Sequence, residues 1–239
     1  MKEIWIVKAG TTFDDVARRY GDFDLWTREA LGLEPQEVAV FDVNANQSLP
    51  EPESCAGVVI TGAHAMVTDA LSWSVRLEQW IPCLLDASVP LLGICYGHQL
   101  LAQAMGGQVD YHPGGREIGT VQIERLPECT ADPLLCDLPP RFPAHVVHAQ
   151  TVVHLPPGAV CLARNSFEPH HAFRVGVSAW GVQFHPEYSP QIMRSYIEQL
   201  SDELNASQQH VARLLEMVSD TDASRSVLRR FSQYVQPTL

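Results

Sequence analysis

Lysine is almost missing from this chain: Lys2 and Lys8 are the only two, and arginine carries nearly all the positive charge. Basic residues are scarce altogether, 16 against 28 acidic ones, for a formal net charge of −12. A chain of that sign repels phosphate backbones and anionic headgroups, which argues against nucleic acid or a membrane surface as a partner. No apolar run approaches the ~20 residues of a membrane span. The opening "MKEIWIVKAG" reads as a strand, not a signal peptide. Also missing is any C-x-x-C pair. Cys55, Cys83, Cys95, Cys129, Cys136 and Cys161 are scattered, which excludes a dense disulfide framework and leaves room for a catalytic thiol in a reduced, cytoplasmic setting.

What is present is an ordinary globular balance: 239 residues, 46% hydrophobic and 18% charged, enough for one large domain or two small ones. "IWIVKAG", "EVAVFDVN", "CAGVVITGA" and "VPLLGIC" read as strands. "FDDVARRY", "WTREALGL", "SWSVRLEQWIPCLLDAS" and "HQLLAQAM" between them read as helices, the last closed by Gly106 and Gly107. Strand and helix alternating at this spacing imply an α/β fold, a mostly parallel sheet with helices on both faces. Residues 108–184 turn β-rich, with short runs separated by proline and glycine, and read as an antiparallel or mixed extension. "SPQIMRSYIEQL" starts a helix with Ser189 as N-cap and Pro190 at its first position. The tail reads as two further amphipathic helices broken near "SDTDASRS", their outer faces solvated. Residues 1–200 are thus expected to form one α/β domain, with 201–239 a helical extension packed on it.

The stretch "PLLGICYGHQLLAQAMGG" sets Cys95 between Gly93 and Gly97, where a strand must become a helix. Such a turn exposes its central residue and tolerates only small neighbours, the nucleophile-elbow pattern with sulfur for hydroxyl. The following helix aims its first amides at the sulfur, which favours the thiolate. A structural cysteine buried as a small hydrophobe is the plainer alternative, but the other five cysteines lack this setting. A thiolate attacking an amide needs a proton shuttle and a group to orient it. "WGVQFHPEYS" supplies both, with His185 as acid and base and Glu187 beyond the rigid Pro186 to hold it. Alone, His-Pro-Glu is as readily a surface turn. A third strand end, "VVITGAHAM", offers the backbone N–H groups of Gly62 and Ala63, which with that of Tyr96 would form an oxyanion hole; an ordinary strand-to-helix turn accounts for it equally.

In this order "GVVITGAHAMVTD", "PLLGICYGHQLLAQAMGG", "REIGT", "HAFRVG" and "WGVQFHPEYS" resemble the class I, or triad, glutamine amidotransferases over roughly residues 1–200. Within that family the chain is similar to stand-alone proteins like the amidotransferase half of GMP synthase, a group that includes γ-glutamyl peptide hydrolases. The resemblance implies a flavodoxin-like fold, Cys95 as nucleophile, His185 and Glu187 completing the triad, and Gln99 helping to hold the substrate. Two positions depart from it. Gly62-Ala63-His64 stands where many relatives have Gly-Gly-Pro or Gly-Ser-Pro, and His148-Ala149-Gln150 where relatives often read His-Gly-Asp.

The expected reaction is hydrolysis of a γ-glutamyl amide, either glutamine or a γ-glutamyl peptide, through a Cys95 thioester. Some forty residues after position 200 are too few for a synthetase domain, so ammonia transfer would require a separate synthase partner. A cysteine esterase of the α/β-hydrolase type is disfavoured because its acid precedes its histidine in the chain. A non-catalytic module is disfavoured by the intact Cys95, His185 and Glu187. His145, His148, His170, His171 and His185 could be drawn together on paper, but none shows a zinc-ligand spacing, and neither metal nor cofactor is expected.

Overall fold

The computed structural model describes residues 2–45 and 47–235. The chain runs first through β1 (Glu3–Lys8), α1 (Asp14–Tyr20), α2 (Phe23–Leu31), β2 (Val38–Asp42), β3 (Cys55–Ile60), α3 (Ser72–Asp86), β4 (Leu91–Ile94) and α4 (Tyr96–Ala104). The β-rich middle contains β5 (Gln108–Tyr111), β6 (Glu117–Arg125), β7 (Arg141–His148), β8 (Gln150–His154), β9 (Val160–Arg164), β10 (Ala172–Val175) and β11 (Ala179–Val182). Helices α5 (Pro190–Gln199), α6 (Ser201–Ala206), α7 (Val211–Met217) and α8 (Asp222–Val235) close it.

Nine strands form one sheet in the order β2-β1-β3-β4-β11-β10-β9-β6-β7, and β5 pairs with β8 in a separate ribbon. The five strands from β2 to β11 are parallel. From β11 to β7 the pairings are antiparallel, so the β-rich segment does extend the sheet, while β11 itself returns to lie parallel beside β4. Every residue of β3 and β4 is buried, because helices cover both faces there and a strand without alternation loses nothing. On one face Leu77, Ile81 and Leu84 of α3 pack with Leu100 and Leu101 of α4 over Val58, Ile60 and Leu91. On the other, Ile6, Ile94 and Trp180 meet Leu31 of α2 and Phe231 and Val235 of α8. Ser189 caps α5 by accepting from the Ile192 amide at 3.3 Å.

The tail departs from its expected form. It holds three helices instead of two, since α6 and α7 are separated at Gln208, a non-glycine residue at φ 61°. A Cβ on Gly57 would lie 2.7 Å from Val235 Cγ2, so α8 rests on β3 where glycine leaves room. Among the described residues no helix is long and apolar enough to cross a membrane.

The carboxyl ends of β3, β4 and β11 lie side by side. In a parallel sheet that edge, where helices start and amides point outward, is where ligands bind.

Candidate active site

β4 ends at Ile94 and α4 starts at Tyr96, so Cys95 alone makes the turn. Its φ of 50° and ψ of −96° lie outside the regions a side-chain-bearing residue ordinarily adopts. The conformation is held from both sides: the Cys95 amide still donates to Val182 O at 2.8 Å, and its carbonyl already accepts from Gln99 N at 3.1 Å. The flanking glycines follow from space. A Cβ on Gly93 would collide with the Gly97 carbonyl, and one on Gly97 with the Ile60 carbonyl. The turn therefore brings β3, β4 and α4 into backbone contact and puts the Cys95 sulfur at the cavity wall, 3.7 Å from Val147 O. Burial pushes the Cys55, Cys129 and Cys161 thiols up, Cys129 to about 12, so these three remain protonated.

His185 follows β11, fixed by its own amide donating to His145 O at 2.8 Å and by stacking on Tyr188 at 4.1 Å between ring centroids. Its Nδ1 lies 2.8 Å from Glu187 Oε1. Its Nε2 is buried with no hydrogen-bond partner, and the sulfur of Cys95 is close enough to act on the ring's charge. Burial disfavours the imidazolium, but Glu187 and then Cys95 outweigh it and raise His185 to about 10. Gly62 touches both groups, since a Cβ there would lie 3.0 Å from His185 Cε1 and 3.7 Å from Cys95 Cβ. Ala63 lines the same cavity, and Tyr96 opens α4, where the first amides have no partner within the helix. All seven expected residues thus gather at one strand-end edge: Ala63, Cys95, Tyr96, Gln99 and His185 line the cavity, Gly62 lies beside Cys95 and His185, and Glu187 stands behind His185.

The cavity has a volume of about 230 Å³. One side is aromatic: Tyr188 lines it, and Phe13, Phe23 and Tyr196 lie against His64, whose Nε2 is 3.2 Å from Tyr196 Oη. His64 thus gives the loop after β3 a side-chain anchor. The other side is polar. Gln99 Nε2 donates to Gln150 O and to Gln183 Oε1, both at 2.9 Å, so what it can offer a ligand is its carbonyl oxygen.

A family model described as Glutamine amidotransferase class-I matches residues 26–202. The chain belongs to the class I glutamine amidotransferases. It is therefore an enzyme with glutamine amidotransferase activity. The glutamine-hydrolysing GMP synthase of Porphyromonas gingivalis is 34% identical over 170 residues, covering 70% of this chain and 32% of that protein. The chain thus spans about a third of that relative's length. A glutamine-hydrolysing GMP synthase subunit from Methanopyrus kandleri is 32% identical over 163 residues, 65% of this chain and 82% of the relative. Two solved glutamine amidotransferases, from Thermotoga maritima and Methylobacillus flagellatus, superpose with TM-scores of 0.74 at 22% and 24% identity. The first covers 98% of both chains, the second 99% of this chain and 93% of its own. At those identities the likeness concerns the fold.

Within this amidotransferase the sequence reading missed a second polar assembly, buried beside the cavity. Glu117 Oε2 lies 3.0 Å from His148 Nε2 and 3.3 Å from His171 Nε2, while its Oε1 accepts from Asn165 Nδ2 at 2.7 Å. His148 Nδ1 donates to Gln150 O at 2.9 Å. Burial works to raise the Glu117 pKa, yet the bonds from His148 and His171 prevail and hold the carboxyl far below its ordinary range. The assembly pins the turn between β7 and β8, whose carbonyls at Val147 and Gln150 touch Cys95 and Gln99. No local sequence signal marks it, because Glu117 opens a strand that also carries Thr120, Gln122, Glu124 and Arg125.

Proposed function

We propose that this chain hydrolyses a γ-glutamyl amide, glutamine or a γ-glutamyl peptide, through a thioester on Cys95. The observation that carries the reading is Cys95 held in a strained strand-to-helix turn against an imidazole whose other nitrogen is fixed by Glu187. The thiolate attacks the γ-carbonyl carbon, and the backbone amides of Gly62, Ala63 and Tyr96 receive the resulting oxyanion. As the C–N bond breaks, protonated His185 gives its proton to the departing nitrogen, and ammonia or an amine leaves. Neutral His185 then takes a proton from water, which attacks the thioester. Glutamate leaves, and the sulfur returns as thiolate beside imidazolium. Glu187 transfers no proton; it fixes the imidazole and stabilises its charged form. Gln99 takes part in holding the glutamyl group through its carbonyl oxygen. Six free cysteines and a thiol nucleophile suit the reducing cytoplasm.

The chain is read as acting on its own. The second reading is a glutaminase that passes ammonia to a separate synthase, favoured by the 82% coverage of the Methanopyrus kandleri protein, itself described as one part of a divided GMP synthase. Steady-state release of glutamate from glutamine and from glutathione by the purified chain separates the two. Turnover that disappears in Cys95→Ser supports independent hydrolysis. Background rates on both substrates, with Cys95 still labelled by 6-diazo-5-oxo-norleucine, would favour the partnered glutaminase.

A further inference from the structure

Two charged side chains close the cavity on its polar side and take no part in the chemistry above. Arg116, just before β6, places Nη2 3.0 Å from Oε2 of Glu203 on α6. Both line the cavity that holds Cys95, Gln99 and His185. Among the described residues lining it, Arg116 supplies the one guanidinium and Glu203 the one carboxylate. The pair is set in place from the tail as well, because Gln209 Nε2 donates to the Arg116 carbonyl at 3.0 Å. Glu203 and Gln209 lie beyond residue 202, where the family match stops, so the acidic half of the pair comes from the extension and Arg116 from the matched domain.

A γ-glutamyl amide carries its charge at one end only, an ammonium and a carboxylate on the same α-carbon. The cavity, at about 230 Å³, is smaller than the roughly 300–1,000 Å³ of drug-sized sites. A ligand whose γ-carbon is bonded to Cys95 therefore keeps its α-end close to the cavity lining, and that lining bears the two complementary charges. The ion pair is partly exposed, with side-chain exposures of 28% and 65%, and a pair so placed is held weakly enough to open for a ligand. We propose that Arg116 and Glu203 are specificity-determining residues that bind the α-carboxylate and the α-ammonium of the γ-glutamyl group. The inference rests on the γ-glutamyl reading above. Its consequence is selectivity for substrates whose glutamyl α-amino acid end is free, so that amides of glutaric acid and α-N-acylated glutamines are poorer substrates than glutamine.

The test compares labelling of Cys95 in the full chain by three probes. 6-Diazo-5-oxo-norleucine carries both α-charges, 6-diazo-5-oxohexanoate lacks the amine, and iodoacetamide has neither. Glu203→Gln should slow the first by about tenfold, the loss of one charge-assisted hydrogen bond, and leave the other two within twofold. Arg116→Met should slow both diazo probes by about tenfold and leave iodoacetamide unchanged. In turnover, glutamine should show a raised KM at near-constant kcat in both variants, while glutaramate responds to Arg116→Met alone. A parallel change with all three probes, or none with any, overturns the proposal and makes the pair a passive latch. A wild-type chain that shows these probe preferences yet releases no glutamate overturns the hydrolytic reading and leaves α-end recognition standing.

Discussion

Two of the buried imidazole–carboxylate contacts are of nearly equal length and have opposite uses. His185 and Glu187 meet at 2.8 Å, His148 and Glu117 at 3.0 Å. The second nitrogen of His148 is occupied by Gln150 O, and Glu117 is further tied to His171 and Asn165. The second nitrogen of His185 has no such partner and faces the sulfur at the cavity wall. The same chemical pair is thus a fastening where both ends are satisfied and, in the reaction proposed above, a proton shuttle where one end is left open. Position in the sheet decides which it becomes. His185 leaves a parallel strand at its carboxyl end, whereas Glu117 and His148 are register partners across the antiparallel β6–β7 pair.

Substitutions in the two pairs should break different properties. His185→Ala should cost on the order of 10²–10⁴ in kcat, the range for loss of a general acid–base group, with the chain still cooperatively folded. Glu187→Gln should cost less, since it keeps a hydrogen-bond acceptor for Nδ1. Glu117→Ala should act on stability, lowering the unfolding free energy by roughly 1–3 kcal/mol because His148 Nε2 and Asn165 Nδ2 lose their buried acceptor. Urea unfolding beside steady-state kinetics separates these effects. If Glu117→Ala loses activity at unchanged stability, the fastening role is wrong.

The pairs should also separate along pH, with opposite signs. His185 is raised to about 10, above its unfolded value of ~6.5. Its contribution is fully present below ~6.5 and is lost as pH rises through about 10. Glu117 is depressed below its unfolded value of ~4.3, so its contribution is present above ~4.3 and is lost as pH falls from there toward the folded value. The stability difference between wild type and His185→Ala should therefore shrink on the alkaline limb, and that between wild type and Glu117→Gln on the acid limb. Differences that vanish on the same limb would refute the division.

The unequal legibility of the two pairs has a physical cause. Cys95 could be read because its turn forbids a side chain at Gly93 and Gly97, and that exclusion is written in adjacent letters. His185 and Glu187 are two residues apart and share one turn. Glu117, His148 and His171 come from three separate segments that only strand register and sheet order bring together, and nothing local announces them. The core strands were legible for the reason Cys95 was, as unbroken apolar runs. The break between α6 and α7 was not, because it uses Gln208 in a left-handed conformation where the eye looks for glycine. Charged tail residues likewise read as solvated surface, and only the fold turns Glu203 toward the cavity.

The smallest effect concerns the residue that links the two regions. Gln150 accepts from Val67 N at 3.0 Å through Oε1 and donates to Thr68 Oγ1 at 2.6 Å, tying β8 to the loop that carries Ala63. Its carbonyl meanwhile receives both His148 Nδ1 and Gln99 Nε2. Gln150→Ala strands the buried Val67 amide and should cost roughly 1–3 kcal/mol of stability, with a several-fold fall in kcat as the oxyanion-side loop loosens. Gln150→Glu is the sharper variant. A carboxylate still accepts from Val67, and the Thr68 hydroxyl can turn from acceptor to donor, so both bonds survive. Stability should return close to wild type with Gln150→Glu, and kcat should recover with it if the side chain acts through loop geometry. Recovery of stability without kcat would mean that the neutral charge of Gln150 matters to the reaction itself, and the fastening and the reacting site would then be coupled by charge as well as by position.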